Sequence, residues 1–358
     1  MLGRVVMTFE LESNAHFPDA ETIRNTWGFG ALTVEPMRKH HGAQVVLRPA
    51  DGGAWVLKHC RVDGMSRHKL DATLVALESA GARLDPSFVP VIRPVADGRH
   101  VLKHNKQLYY VMALVEGRRP SFRREREVAA VLAALGRLHA RGHEAAAKLG
   151  RSLKEPLTQS VSTIWHGQVE SFEWLSSKIS RRGEGLTAAG RLFADRNGAF
   201  AELAIEADAY LHAQVGDVTE AQCSLVLAHG DSYENNYMLA KDSDAMPWLL
   251  DLESVSLKPA PSDLVVPLAT FGLAHRWNPD KLRRLIDVYE KERRLDPVER
   301  ALLRAMLMFP RQWTRSMHCL VRRREQQKLD WGTMRNLTNC ILALPAHRRL
   351  VEEIKNGW

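Results

Sequence analysis

Apolar positions change their period once along the chain, and the change divides it. Between Ala31 and Leu114 they fall in short β-rich runs: Thr33–Met37, Gln44–Arg48, Ala54–His59, then Val89–Arg93, His100–Lys103 and Leu108–Leu114. Lys39-His40-His41-Gly42 and Pro49-Ala50-Asp51-Gly52-Gly53 separate the first three, and the second break is a strong turn signal, so an antiparallel meander is predicted. One helix interrupts it, because Leu70, Leu74 and Leu77 share a face between Ser66 and Ala82, with Gly81 as a stop. Residues 1–25 carry little pattern and read as a lead-in segment.

From Arg123 the period is helical. Val128, Val131, Leu132, Leu135 and Leu138 mark a helix to about Arg141, further helices follow at 168–181 and 187–214, and beyond Pro267 the chain reads as helix throughout. Pro279, Pro297 and Pro310 start or break those helices. The expected class is α+β, with a β-rich part at 1–112 and a larger helical part at 119–358. Inside the helical part three apolar runs, Leu225–Ala228, Tyr237–Ala240 and Trp248–Leu250, read as short strands. The loop after the first presents Asp231 and Asn236, and the third delivers Asp251. Three oxygen ligands in one cleft suit magnesium and a triphosphate. In phosphoryl transfer one Asp takes the proton of the attacking hydroxyl, while an Asn and a second Asp hold metal.

A chain of 358 residues is long enough for two lobes. Its 45% hydrophobic and 26% charged content is that of an ordinary globular protein. The net charge of +8 raises the question of nucleic acid, yet the basic residues are spread, and the densest run, Arg322-Arg323-Arg324, has no interleaved aromatic platform. No nucleic-acid partner is expected. Cys60, Cys223, Cys319 and Cys340 form no Cys-x-x-Cys pair, which fits a reducing, cytoplasmic setting. No apolar run has the length of a signal peptide core or a membrane span, so no membrane partner is expected.

His229-Gly230-Asp231, Asn236, and then Asp251-x-Glu253 resemble the catalytic loop and metal segment of the aminoglycoside phosphotransferases, choline kinases and related small-molecule kinases. The resemblance covers about residues 20–345, and the N-terminal layout is most similar to the spore-coat CotS-like proteins. It implies a bilobal protein-kinase-like fold, ATP and Mg2+ as cofactors, and a small-molecule hydroxyl as acceptor. Asp231 would be the base, Asn236 and Asp251 the metal ligands, and Glu253 support for a second metal or a structural acid. Lys58 would anchor the phosphates, or stand as an edge-strand lysine. A carboxylate of the 66–82 helix would position it, Asp71 in preference to Glu78. The Ala113 carbonyl and Val115 amide would hold adenine, with Gly117 turning the chain. Asp263 would bond the catalytic loop, cap a helix, or both. Loop 39–42 sits where phosphates are covered but lacks Gly-x-Gly-x-x-Gly. The family's acceptor pockets are acidic, and Glu116, Asp263 and Glu253 are the candidates here. His139 and His143 have a metal-like spacing, better explained by a helix C-terminus. Trp313 and Trp331 read as core or cleft. With no Asp-Phe-Gly and no Ala-Pro-Glu, a protein kinase is disfavoured. The rival is a kinase-fold assembly protein of a spore coat with coat partners and little catalysis.

Overall fold

The computed structural model describes residues 17–37, 44–60, 65–82, 88–148, 157–181, 191, 193–240, 246–323 and 331–358. The loop at 39–42 and the side chains of the basic run at 322–324 lie outside the described residues.

The N-terminal part is an antiparallel sheet of β1 (Leu32–Pro36), β2 (Gln44–Pro49), β3 (Trp55–His59), β4 (Ile92–Arg93), β5 (Leu102–His104) and β6 (Gln107–Ala113). Its order is β1-β2-β3-β6-β4, with β5 also on β6. Both faces are apolar, and the two-residue period of a strand sorts them. Leu57, Tyr109 and Val111 join Val45 and Leu47 on the outer face, where α1 (Ala20–Trp27) covers them with Ile23 and Trp27. Val56, Tyr110 and Met112 point inward onto Leu70, Leu74 and Leu77 of α2 (Arg67–Gly81). Lys58, two residues after Val56, therefore faces inward. Helix α1 corrects the expected lead-in. Its signals are small but present: Asp19 accepts the Thr22 N–H at 2.6 Å as N-cap, Ile23 and Trp27 share a face, and Gly28 closes it at φ 64°.

The C-terminal part is mostly helical: α3 (Glu125–Lys148), α4 (Val161–Arg181), α5 (Asn197–Val215), α6 (Pro261–Ala274), α7 (Pro279–Glu292), α8 (Pro297–Met308), α9 (Arg311–Arg323) and α10 (Trp331–Lys355). Proline opens α7 and α8 at their first positions, and Asp296 with Glu299 forms a capping box on α8. Helix α3 runs past the expected stop at Arg141, so His139 lies within it rather than at its end. Two strand pairs sit among the helices. β7 (Leu225–Ala228) pairs with β10 (Ser256–Pro259), and β8 (Tyr237–Met238) pairs with β9 (Trp248–Leu249). β10 has no counterpart among the strands expected from the sequence; Pro259 ends it, opposite Leu225. No helix among the described residues is long and apolar enough to cross a membrane.

Candidate active site

The loop after β7 is held from below. His229 is fully buried; its N–H donates to Asp263 Oδ2 at 2.5 Å and its Nε2 to the Leu250 carbonyl at 2.7 Å, while Nδ1 accepts the Asp231 N–H at 3.3 Å. Gly230 donates its N–H to Asp263 Oδ1 at 2.8 Å. Only glycine serves there: φ is 81°, and a Cβ would stand 2.1 Å from the Ser254 carbonyl oxygen. Asp263, in the first turn of α6, is itself inaccessible. Burial alone would raise its pKa, but the hydrogen bond and charge of His139, with His229 and the Gly230 N–H, hold it down at about 2. His139 bridges Asp263 (3.1 Å) and the Tyr289 hydroxyl (2.9 Å), so it is a structural strut under the loop, not the dipole partner of a helix end.

Above this base stand the predicted catalytic groups. Asn236 donates its amide to the Asp231 carbonyl at 2.7 Å and to Asp231 Oδ2 at 2.6 Å, which leaves Asn236 Oδ1 and Asp231 Oδ1 uncommitted among the described residues. Asp251 follows β9 in the left-handed region at φ 56°, ψ 56°, a conformation costing about 1–3 kcal/mol that surrounding contacts must offset. Residues Leu252–Ser254 then form a 3-10 turn, so the strand does not continue through Asp251 to Glu253. Asp231, Asn236 and Asp251 all line one cavity of about 450 Å³, with Val56, Met112 and Val115 on its opposite wall. The uncommitted amide and carboxylate oxygens of Asn236 and Asp251 are hard donors of the kind magnesium takes in small number beside phosphate. The residues thus fit the ion.

Lys58 enters the same cleft from β3. Its ammonium lies 2.6 Å from Asp251 Oδ1 and 2.7 Å from Glu253 Oε2, with the side chain 4% exposed. Glu253 Oε2 also accepts the hydroxyl of Tyr110, the cross-strand partner of Lys58, at 2.8 Å. Burial first, then the Glu253 and Asp251 charges, drive the Tyr110 pKa well up, so its proton stays. Glu253 is thereby occupied by Lys58 and Tyr110. Asp71 does not meet Lys58: its Oδ1 accepts the His100 N–H at 2.7 Å, and Glu78 contacts His100 Nε2 at 3.1 Å. The carboxylates of α2 are turned to the segment before β5, and the acids on Lys58 come from beyond β9.

Ala113 donates its N–H to Val91 at 2.8 Å, and the Val115 N–H has no hydrogen bond among the described residues. The chain bends at Gly117 without entering the left-handed region, and glycine serves there for a different reason: it passes so close to β8 that a Cβ would lie 2.0 Å from the Leu239 carbonyl oxygen. Arg118 and Leu239 exchange backbone hydrogen bonds at 2.9 and 2.8 Å beside it. Glu127 receives Arg118, Arg124 and the Ser121 N–H, which outweigh burial and hold its pKa down at about 2.

Two site residues had no clear signal in the sequence. Tyr233 and Arg315, the guanidinium 3.8 Å from the ring centroid, border this cavity and two others on the helical side. Tyr233 falls within the loop and could have been suspected, whereas Arg315 comes from a distant helix. Of the two tryptophans, Trp313 is buried and stacks on Phe200, and Trp331 is 81% exposed.

Comparison with known proteins agrees with this geometry. The APH profile, described as the phosphotransferase enzyme family, matches residues 33–303. No curated protein matches the chain. An aminoglycoside phosphotransferase structure from Alicyclobacillus acidocaldarius is similar at TM-score 0.70 and 14% identity, over 97% of this chain and 98% of that one. Spectinomycin phosphotransferase in its AMP-bound complex is similar at 0.61 and 12%, over 92% and 96%. A microcompartment-associated aminopropanol kinase is similar at 0.61 and 13%, over 93% and 97%. At such identities the likeness is one of fold, an antiparallel sheet followed by a mostly helical part, as in the protein-kinase-like phosphotransferases.

Proposed function

We propose, of a chain that belongs to the phosphotransferase enzyme family, that it transfers the γ-phosphoryl group of ATP to a hydroxyl of a small molecule. The observation that carries this reading is the gathering of Asp231, Asn236 and Asp251 on one cavity, with Lys58 entering from the sheet. Asp231 keeps one carboxylate oxygen free to accept the acceptor's proton, and the Asn236 amide orients it through the other. Magnesium, held by Asn236 Oδ1 and Asp251, would supply positive charge against the phosphates. Lys58, buried and pinned by Glu253, brings a fixed ammonium to the polyphosphate. Val56, Met112 and Val115 offer an apolar wall to adenine, with the Val115 N–H as donor and the Ala113 carbonyl as acceptor, and 113–118 as hinge between a lobe ending at 112 and one beginning at 119.

The alternative reading, a CotS-like coat-assembly protein with little catalysis, draws no support from a cleft in which Lys58, Asp231, Asn236 and Asp251 are gathered, although Asp71 is not among them. One assay separates them. Nucleotide titration with and without magnesium, plus phosphate transfer from labelled ATP to a panel of alcohols, should show magnesium-dependent binding and turnover. Wild type that binds no nucleotide and transfers to no alcohol would favour the assembly protein.

A further inference from the structure

We infer that the acceptor carries an anionic group, a carboxylate or a phosphate ester, received by Arg123, Arg276 and Arg315; this rests on the phosphotransfer reading above. A cavity of about 550 Å³ shares Tyr233, Asn235 and Arg315 with the cavity that holds Asp231, so the two adjoin on the helical side. Its volume suits a small molecule. Its charge does not suit a polycation. Three guanidiniums line it, those of Arg123, Arg276 and Arg315, against one carboxylate, Glu234, and that carboxylate accepts the Phe122 N–H. None of the three has a carboxylate partner among the described residues. The arginines just outside do: Arg118 and Arg124 bond Glu127, and Arg284 bonds Glu125. Arg315 instead lies on the face of Tyr233, at the boundary of the two cavities.

The acids expected to make this pocket negative are elsewhere. Asp263 is sealed beneath Gly230, Glu253 is held by Lys58 and Tyr110, and Glu116 lines none of the cavities described. The adjoining cavity of about 410 Å³ repeats the pattern, with Arg311 and Arg315 and no carboxylate. Guanidiniums that line one cavity without carboxylate partners repel one another, and a carboxylate or phosphate relieves that repulsion while taking their paired N–H donors bidentately. A hydroxyl on the same molecule can then reach Asp231.

The test uses the full chain saturated with magnesium and a non-hydrolysable ATP analogue. Each anionic probe is set against its neutral parent, gluconate against glucitol and glucose 6-phosphate against glucose, with spectinomycin as a cation, and binding is read by calorimetry. At least one anionic probe should bind tenfold or more tightly than its neutral partner. Which anion leads distinguishes a carboxylate from a phosphate ester. Arg276→Glu should abolish the preference without changing nucleotide affinity, and Arg276→Lys should retain part of it. The inference is overturned if neutral or cationic probes bind as well as the anions, if no probe binds, or if Arg276→Glu and Arg315→Glu leave the preference intact. Loss of nucleotide binding by the wild type would instead indict the phosphotransfer reading, so the two failures are distinct.

Discussion

At the scale of single residues the site is a set of divided loyalties among charged atoms. Asp231 keeps one oxygen for Asn236 and one for the cleft, so Asp231→Asn preserves the shape and removes the proposed base. Transfer should fall about 100- to 10,000-fold with magnesium-nucleotide affinity little changed. Asp251→Asn should weaken both, because it strips a charge from the donor set as well as from Lys58. Kinetics and nucleotide titration on the two variants check the contrast, and equal behaviour would refute the division of roles. Lys58 makes a second case. Lys58→Met leaves Glu253 buried with the Tyr110 hydroxyl alone, a loss on the order of 3 kcal/mol in urea unfolding. Adding Glu253→Gln to Lys58→Met should recover part of that loss. Strict additivity of the two would show that the pair does not interact as the distances imply.

Elements behave as their junctions allow. Gly117→Ala should destabilise by about 1–3 kcal/mol and raise the nucleotide concentration needed for half-saturation, because its Cβ meets the Leu239 carbonyl at 2.0 Å. Gly198→Ala, in α5 with no atom within 4 Å of the new Cβ, should be neutral or slightly stabilising. Thermal melts of the two variants and nucleotide titration check this pair. Junctions also set what could be read in advance. The strands and α2 were legible because alternation and the Leu70–Leu74–Leu77 face are local. Asp231, Asn236 and Asp251 were legible because one short segment carries all three. The partner of Lys58 was misread as Asp71, since choosing among carboxylates requires knowing how α2 is rotated, and its Leu70–Leu74–Leu77 face on the sheet leaves Asp71 to the His100 N–H. Arg315 was invisible for the same kind of reason: nothing local says that α9 will lie against Tyr233.

Across the whole molecule, acid should act in two stages. His347 is buried, bonded to the Leu307 carbonyl and stacked on Trp277; burial lowers its pKa from 6.5 to about 4. The folded state then resists a proton that the unfolded chain accepts. Its contribution is complete above pH 6.5 and is lost as pH falls toward about 4, on the order of 3 kcal/mol. Asp263, lowered from 3.8 to about 2, contributes above its unfolded value and fails as pH drops through that lower window, costing on the order of 2 kcal/mol more. Denaturant melts from pH 8 to 3 should therefore lose stability from about pH 6.5 downward, and His347→Gln should flatten the first stage. A profile flat to pH 4 would contradict it.

The contact between Lys58 and Asp251 joins residues 193 positions apart. On a ribosome adding about 5–20 residues per second, Lys58 emerges roughly 10–40 s before its acids. For that interval the young sheet carries an ammonium on its inward face with neither Asp251 nor Glu253 made, and an uncompensated charge there opposes burial of the apolar side chains around it. The N-terminal part is thus expected to stay loosely packed during synthesis and to lock only when the segment after β9 arrives, so that closure of the cleft and consolidation of the sheet are one event, with the helices from α6 onward still to be added.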